Sequence, residues 1–270
     1  MNFKEEFLTY DSEKKYLPAD VVLNISPSSF STFVERKHLW YRQNVLGLDK
    51  FEGSTSSVLG TIVHGVAAAI AQEKPVDRDS ILEYVGDNEH LEDFSSEAVL
   101  SNYSAMSEAL VNGYVLPNMH NYLETETVHC ASLGDGVYVS GTLDVLEGEK
   151  DDCCITDYKT YNSKSKPRVI PQGYRYQLLV YAYMLSKTGY KPTRIKLVYV
   201  NRNIDGGISE KTGKPLKSYP PEITELVEEI TSEDLEFIEG LLYLCKDSVE
   251  ASKKYPELSH VIWNDPRLKQ

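Results

Sequence analysis

The spacing of apolar residues divides the chain into a helical first half and a strand-rich second half. Ser26 followed by Pro27 is typical of a helix start, with a capping serine and a proline in the first turn. The apolar positions that follow predict one helix running toward Val45. Further helices are predicted over 56–72, over a short part of the acidic stretch 77–97, and over 96–123.

After Glu124 the pattern changes to short β-rich runs separated by turn residues. Three consecutive strands joined by tight turns predict an antiparallel meander. The order of elements is that of an α+β layer fold with a helical N-terminal cover. The predicted elements are strands over 127–133, 137–146 and 153–158, a helix over 171–187, a strand over 194–200, an edge strand over 222–230 and a last helix over 231–252.

The organisation of the chain indicates one domain and no membrane segment. Residues 1–20 are polar and are predicted to form a flexible arm, followed by a single domain over 21–270. Its predicted parts are helical over 21–123, a sheet with one helix over 124–230, and a C-terminal helix and tail over 231–270. No apolar stretch approaches the ~20 residues that a membrane span needs. The four cysteines lack metal-site spacing, so we expect a cytoplasmic protein with reduced thiols and no membrane partner.

The charge distribution qualifies the composition. A net charge of −13, from 28 Lys and Arg against 41 Asp and Glu, argues against a nucleic-acid partner if it is taken as an average. Residues 159–217 nevertheless hold 13 basic and 2 acidic residues, a local charge of +11, which leaves −24 for the remainder. Such a segment predicts one face that binds a polyanion. The residues predicted to contact it are Lys164, Lys166, Arg168, Arg175, Lys191, Arg194, Lys196 and Arg202.

Two short segments carry the candidate chemistry. On a strand, Asp157 and Lys159 share one face because side chains alternate with a period of two. The turn at Gly148 folds the preceding strand back, which brings Asp144 beside Asp157. Two crowded carboxylates need a cation between them, so the pair predicts a Mg²⁺ or Mn²⁺ site. The lysine would position or deprotonate a water, or stabilise phosphate charge. Taken alone, the spacing is also that of solvated turn residues.

Three other residues extend this hypothesis. Gln177 and Tyr181 are four residues apart on a predicted helix and share its face, where they would bind a phosphate or a water, or pack as an amphipathic helix. His64 lies in an apolar helix, where a histidine is either a hydrogen-bonded core residue or a metal ligand.

In this order, the segments resemble the PD-(D/E)XK nuclease superfamily and most closely its RecB-like branch. That branch includes the nuclease domains of RecB and AddB, the CRISPR-adaptation exonucleases and many phage exonucleases. The resemblance spans residues 25 to 200 and implies a restriction-endonuclease-like core, a mixed β-sheet flanked by helices. The matching pieces are the opening helix from Ile25, Leu59-Gly-Thr-Ile-Val-His64, Gly141-Thr-Leu-Asp144, Ile155-Thr-Asp-Tyr-Lys-Thr160 and Gln177-Leu-Leu-Val-Tyr181.

The resemblance also implies a role for each matching residue. The second acid is Asp157 where relatives more commonly have Glu, which shortens the carboxylate arm. Glu126, or else Glu124, is expected to join the site as an additional acid. The expected metal ligands are His64, Asp144, Asp157 and the backbone carbonyl of Tyr158, with Lys159 serving the attacking water and Gln177 and Tyr181 contacting substrate phosphate and holding the site together.

The expected function is therefore metal-dependent hydrolysis of DNA, with an exonuclease favoured over an endonuclease. Linear ends or single-stranded regions are the expected substrate, in recombination, repair or phage DNA processing, with a recombination protein as a partner. Some of the 19 tyrosines are candidates for stacking on single-stranded ends. No iron–sulfur cluster is expected, because Arg36-Lys37-His38 replaces the first cysteine of cluster-binding relatives and residues 255–270 contain none. The alternatives are a catalytically silent DNA- or protein-binding member of the fold, and an acidic DNA-mimicking protein.

Overall fold

A six-stranded mixed sheet forms the centre of the molecule, and helices cover both of its faces. The predicted α+β class and mixed sheet are confirmed. The computed structural model describes residues 21–49, 51–161, 166–202, 207–209, 211–215 and 217–268. The predicted arm over residues 1–20 and the candidate DNA contact Lys164 lie outside these ranges.

Most of the predicted elements are present within one to five residues of their expected ends. The strands are β1 Leu23–Ile25, β2 Tyr122–Gly134, β3 Val137–Glu149, β4 Asp152–Tyr161, β5 Pro192–Asn201 and β6 Ile223–Glu229. The helices are α1 Pro27–Glu35, α2 Lys37–Asn44, α3 Thr55–Ala71, α4 Arg78–Asp87, α5 Ser96–Leu110, α6 Gln172–Lys187, α7 Ser232–Lys254 and α8 Ser259–Ile262, with short helical turns over 111–121 and near the C-terminus.

One edge of β3 is shared by two strands, and this arrangement creates an opening in the sheet. Strands β2, β3 and β4 form the predicted antiparallel meander, and β5 joins β4 in parallel. Because β2 pairs with β3 over 137–147, β1 and β4 must both use the opposite edge. There, β1 pairs with residues 137–139 and β4 with residues 145–149. Residues 140–144 lie between these two ladders, and we call them the β3 opening.

Alternation along β4 assigns its side chains to two different cores. Ile155 packs in a cluster with α1, α6 and α7, whereas Tyr158 packs in a second cluster with α3 and α5. Asp157 shares the face of Ile155 and meets α6. The two acids and the lysine of the candidate site are therefore built on the sheet, while His64 approaches from the other helical layer. Among the helices of the described ranges, none has the length and apolar character needed to cross a bilayer.

The first predicted helix begins where expected, but the structure has two helices in its place. Ser26 caps α1 through its side chain, which accepts a hydrogen bond from the N–H of Ser29. The helix ends at Arg36, whose φ of −144° and ψ of 63° are not helical, and α2 begins at the next residue. In a straight helix Phe33 and Trp40 would be separated by about 10 Å along the axis. The break brings their ring centroids to 5.5 Å, so tertiary packing of the aromatic rings overrides the helical pattern.

Two further features differ from the prediction. The helix predicted over 96–123 is regular to Leu110 and continues as short helical turns to residue 121, and the last two predicted residues belong to β2, where Tyr122 pairs with Glu147. Strand β1 was not predicted at all. It has three residues, and it pairs in parallel with a strand more than 100 positions later, so no local pattern indicates it.

Gly141 lies in the β3 opening, where α1 approaches the strand most closely. A Cβ atom at this position would lie 2.7 Å from Cδ of Pro27 and 3.2 Å from the hydroxyl of Tyr181. The Tyr181 hydroxyl donates a 2.5 Å hydrogen bond to the carbonyl of the next residue, Thr142. Only glycine lets α1 and α6 close over the opening in this way.

We therefore expect Gly141→Ala to destabilise the protein by about 1–3 kcal/mol, the usual effect of overpacking. Urea unfolding followed by circular dichroism measures this change. Gly240→Ala is the matched control, since no atom lies within 4 Å of a Cβ at that exposed position of α7. It should stabilise the helix by up to about 1 kcal/mol. Similar effects of the two substitutions would contradict the steric explanation.

Candidate active site

Asp144 closes the gap where β3 and β4 separate. The ladder between these strands starts at the pair Val145 and Thr156, and in the same register Asp144 faces Asp157. Oδ2 of Asp144 accepts a 2.8 Å hydrogen bond from the backbone N–H of Tyr158, so a side chain replaces a main-chain ladder bond. The predicted juxtaposition of the two carboxylates therefore results from the end of the ladder.

Asp157 is buried between a lysine and a glutamine. Its Oδ1 accepts a 3.0 Å hydrogen bond from Nε2 of Gln177, and its Oδ2 lies 2.6 Å from Nζ of Lys159. Oδ2 is inaccessible to solvent and has no well-aligned hydrogen bond, so it is balanced mainly by the lysine charge. Burial raises the pKa of Asp157, Lys159 opposes the increase, and the Asp144 carboxylate adds to it.

The charge state of Lys159 follows from its neighbours. Burial by itself would lower the pKa of this lysine, but Asp157 and Asp144 together raise it above its ordinary value. The ammonium also lies 5.1 Å from the ring centroid of Tyr174, on the first turn of α6. Lys159 is therefore held as a cation between two carboxylates and an aromatic ring. Tyr174 was missed at the sequence level, although its position one turn before Gln177 places both residues on one helix face.

His64 reaches the site from α3. Its Nδ1 lies 3.4 Å from Oδ2 of Asp144, and its ring contacts the ring of Tyr158 edge-on at 5.9 Å between centroids. Burial, and then the charge of Lys159, lower the pKa of His64 to about 4, although a hydrogen bond with the Tyr158 backbone opposes this. The imidazole is therefore neutral near pH 7, which is the form that ligates metals.

Glu126, and not Glu124, is the additional acid that the fold brings to this cluster. In the β2–β3 register Glu126 faces Asp144, and its φ of 52° is a left-handed conformation that is rare for a residue other than glycine. Burial raises its pKa well above the ordinary value, and Asp144 and Asp157 add to the effect. Glu124 instead accepts hydrogen bonds from His129 and from the hydroxyl of Tyr190. Backbone strain of this kind is typical of functional sites.

These donors match a divalent cation in their chemistry. Oxygen ligands suit Mg²⁺, while Mn²⁺ also accepts imidazole. The buried Oδ2 of Asp157 without an aligned donor, the three crowded carboxylates and the neutral imidazole are all features that a cation would satisfy. Within the described residues, however, no group of three or more His, Cys, Asp or Glu side chains is already arranged as a ligand cage. Lys159 is the charge that balances Asp157 in this arrangement.

Most of the predicted DNA contacts lie outside this cluster. Arg168 and Lys191 are exposed, and Arg202 donates a 2.7 Å hydrogen bond to Ser56 at the start of α3. Lys166, Arg175 and Arg194 are engaged with acids. Their ion pairs are Lys166–Glu222 at 2.6 Å, Arg175–Glu228 at 3.0 Å, Arg175–Asp234 at 2.8 Å and Arg194–Asp152 at 3.1 Å.

Lys196 does not extend the basic surface that the sequence analysis predicted. Its half-buried ammonium donates hydrogen bonds of 2.9 Å to Glu147 and to the hydroxyl of Tyr114. Glu147 also accepts hydrogen bonds from Tyr114 and Thr156. This buried network joins β3, β4 and β5 behind the candidate site, so its role is structural.

Comparisons with known proteins give a family and several distant structures. A family model described as the PD-(D/E)XK nuclease superfamily matches residues 24–248. The chain is similar to a protein described as an exonuclease from Eubacterium rectale, with 14% identity over 97% of this chain and 86% of that one, at a TM-score of 0.49. It is also similar to an alkaline exonuclease from Laribacter hongkongensis, with 11% identity over 72% and 92% of the two chains, at a TM-score of 0.35. No curated protein matches the chain.

The crowding of carboxylates makes a prediction about stability without metal. The raised pKa of Glu126 means that folding disfavours its ionised form. At pH 8 in EDTA, Glu126→Gln should therefore stabilise the protein by about 1 kcal/mol, roughly 2–4 °C in Tm for a chain of this size. The gain should decrease as the pH falls and disappear below the ordinary glutamate pKa, where Glu126 is protonated in both the folded and unfolded states. Thermal unfolding monitored by circular dichroism measures both values.

Glu124→Gln is the control for this experiment. It weakens the charged acceptor of His129 and Tyr190, so we expect it to lower the Tm under the same conditions. An unchanged or lower Tm for Glu126→Gln would show that the carboxylate cluster does not destabilise the folded state.

Proposed function

Because the chain belongs to the PD-(D/E)XK nuclease superfamily, we propose that it is a divalent-metal-dependent deoxyribonuclease, acting as an exonuclease. The observation that carries the proposal is the cluster at the β3 opening, in which a buried Asp157 lies beside half-buried Asp144 and Lys159. Burial raises the pKa of both aspartates and the charge of Lys159 opposes the increase, so their ionised forms depend on nearby positive charge. Superfamily members generally use divalent metals, so metal-assisted phosphodiester hydrolysis is the reaction that these groups support.

Mg²⁺ or Mn²⁺ is the proposed cofactor. Asp144, Asp157 and the backbone carbonyl of Tyr158 would hold it, with His64 and Glu126 as further donors. When bound, the metal supplies Lewis-acid activation of the scissile phosphate and lowers the pKa of a bound water. The neutral His64 and the raised pKa of Glu126 support this donor set, because both groups lie against the aspartates.

Lys159 acts as a charged hydrogen-bond donor in this proposal and not as a base. The two aspartates raise its pKa, so the ammonium keeps its proton at neutral pH. A fixed ammonium orients the attacking water and stabilises the negative charge that develops on the phosphate. The ion pair with Asp157, at 2.6 Å, keeps the ammonium in place before substrate binds.

Gln177 and Tyr181 act mainly as positioning residues. Gln177 fixes Oδ1 of Asp157 and so orients the other carboxylate oxygen toward Lys159. Tyr181 ties α6 to β3 through the carbonyl of Thr142, two residues before Asp144. Both therefore hold the site together, which is one of the two roles that the resemblance implies.

DNA is the proposed substrate because the basic segment over residues 159–217 begins at the catalytic lysine. Arg168 and Lys191 are exposed. The basic side chains that form ion pairs with acids, Lys166 and Arg194, can exchange these acids for DNA phosphates, since surface ion pairs contribute little stability. The motif resemblance supports three further parts of the proposal. These are membership of the RecB-like branch, cleavage from DNA ends, and a role in recombination, repair or phage DNA processing.

The first test removes each central group in turn. Asp144→Ala, Asp157→Ala and Lys159→Ala should each lower cleavage at least ~10²-fold, comparable to loss of one electrostatic stabiliser, while the fold is retained. The assay is digestion of end-labelled linear DNA with Mg²⁺, Mn²⁺ or EDTA. Lys187→Ala, which removes an exposed lysine paired with Glu239 on the far end of α6, should leave the rate unchanged. Cleavage by Lys159→Ala at the rate of the unmodified protein would exclude the assignment.

The second test concerns the mode of cleavage. An exonuclease needs an end, so linear DNA should be degraded with Mn²⁺ while closed-circular DNA of the same sequence stays intact. Nicked circles show whether an internal end suffices. Linearisation of the closed circle would show an endonuclease, and no cutting of any form with either metal would favour a catalytically silent member of the fold.

A further inference from the structure

Three tyrosines form a cluster beside the catalytic lysine. Tyr199 on β5 is paired in register with Lys159 on β4, and Tyr161 follows the lysine by two residues on the same face. The ring centroids of Tyr161 and Tyr199 are 5.5 Å apart, and those of Tyr174 and Tyr199 are 6.3 Å apart. Strands and a helix therefore hold the three rings on the side of the sheet that carries Asp157 and Lys159.

The exposure of the three rings differs in a way that points to a ligand. Tyr199 is 4% exposed and packs against the rings of the other two, whereas Tyr174 is 36% exposed. The ring of Tyr174 also lies over the ammonium of Lys159, at 5.1 Å. An aromatic ring thus reaches solvent next to the reacting group and is fixed from behind by a buried neighbour.

We propose that Tyr174 stacks on a nucleobase adjacent to the scissile phosphate, and that the substrate class is DNA with unpaired ends. The inference deepens the proposed nuclease function and rests on it. A base stacked on an aromatic side chain contributes binding that does not depend on sequence, because every base has a π-face. The arginines and lysines of the basic segment would hold the backbone.

The same geometry explains why paired ends should be poorer substrates. In a duplex the terminal base is stacked on its neighbour and paired with the other strand, and it must be unstacked at a cost of a few kcal/mol before it reaches the ring. A single-stranded end has no such requirement. Tyr174 is therefore proposed as a determinant of strand preference.

A purely structural role for Tyr174 makes a different prediction. If the ring served only to hold Lys159 in place, its loss would lower kcat on every substrate and leave DNA affinity unchanged. Stacking instead affects binding, and KM more than kcat, and only on unpaired ends. Tyr174→Phe keeps the ring and removes the hydroxyl, so it separates stacking from hydrogen bonding.

The experiment measures binding of the full chain to fluorescent oligonucleotides by anisotropy in EDTA, so that cleavage is not required. The probes are a single strand, a blunt duplex and single strands with one abasic nucleotide at successive positions from either end. Tyr174→Ala should weaken single-strand binding about 10-fold or more, and duplex binding less than about twofold. Tyr174→Phe should bind like the unmodified protein. An abasic nucleotide at the stacked position should abolish the difference between tyrosine and alanine.

Tyr255→Ala is the matched control. Tyr255 is 44% exposed, and a lysine, Lys254, lies 5.2 Å from its ring centroid, so it reproduces the local chemistry of Tyr174 at the end of α7. It should bind both probes like the unmodified protein. Equal losses for single strand and duplex, full loss in Tyr174→Phe, or the absence of any abasic position that removes the effect would each overturn the proposal. If Tyr174→Ala weakens single-strand binding more than duplex binding but the protein does not cleave DNA with metal, the nuclease function is rejected and the base-binding site is retained.

Discussion

The hydrogen bond from the backbone N–H of Tyr158 to Asp144 is the interaction on which the rest of the site depends. Strands β1 and β4 share one edge of β3, so the main-chain ladder is interrupted between them. Buried backbone groups at such an interruption need other partners. A carboxylate supplies one and the hydroxyl of Tyr181 supplies another, at Thr142. The group that completes the sheet is thereby also a proposed metal ligand, so fold and function use the same side chain.

The cluster around this bond is electrostatically unfavourable for the protein alone. The carboxylates of Glu126, Asp144 and Asp157 lie together, with a single ammonium beside the two aspartates, and burial raises the pKa of each acid. The left-handed backbone at Glu126 adds local strain. Such features persist when the surrounding structure holds them firmly. Here the firm support is the buried network of Glu147, Lys196, Tyr114 and Thr156, which links three strands directly behind the site.

Local patterns succeeded where the physical cause is local. The capping serine and proline placed the start of α1, and turn residues placed the three strands of the meander. They failed where the cause is a distant contact. The break at Arg36 follows from the packing of Phe33 on Trp40, β1 follows from pairing with a strand far along the chain, and the depth of Lys196 follows from Glu147 on another strand. Net charge along the sequence likewise did not distinguish an ion pair at the surface from a buried one.

For the site, the residue order was enough to predict that Asp157 and Lys159 share a face and that Gln177 and Tyr181 share another, because strand and helix periods are properties of the backbone. It also determined which residue types were present for metal and phosphate chemistry. The folded chain was needed to show that Glu126 joins the aspartates while Glu124 turns to His129, because a left-handed residue in β2 changes which side chains face the cluster. It alone placed Tyr174 over Lys159, since that contact joins a helix to a strand, and no periodicity within either element encodes their distance.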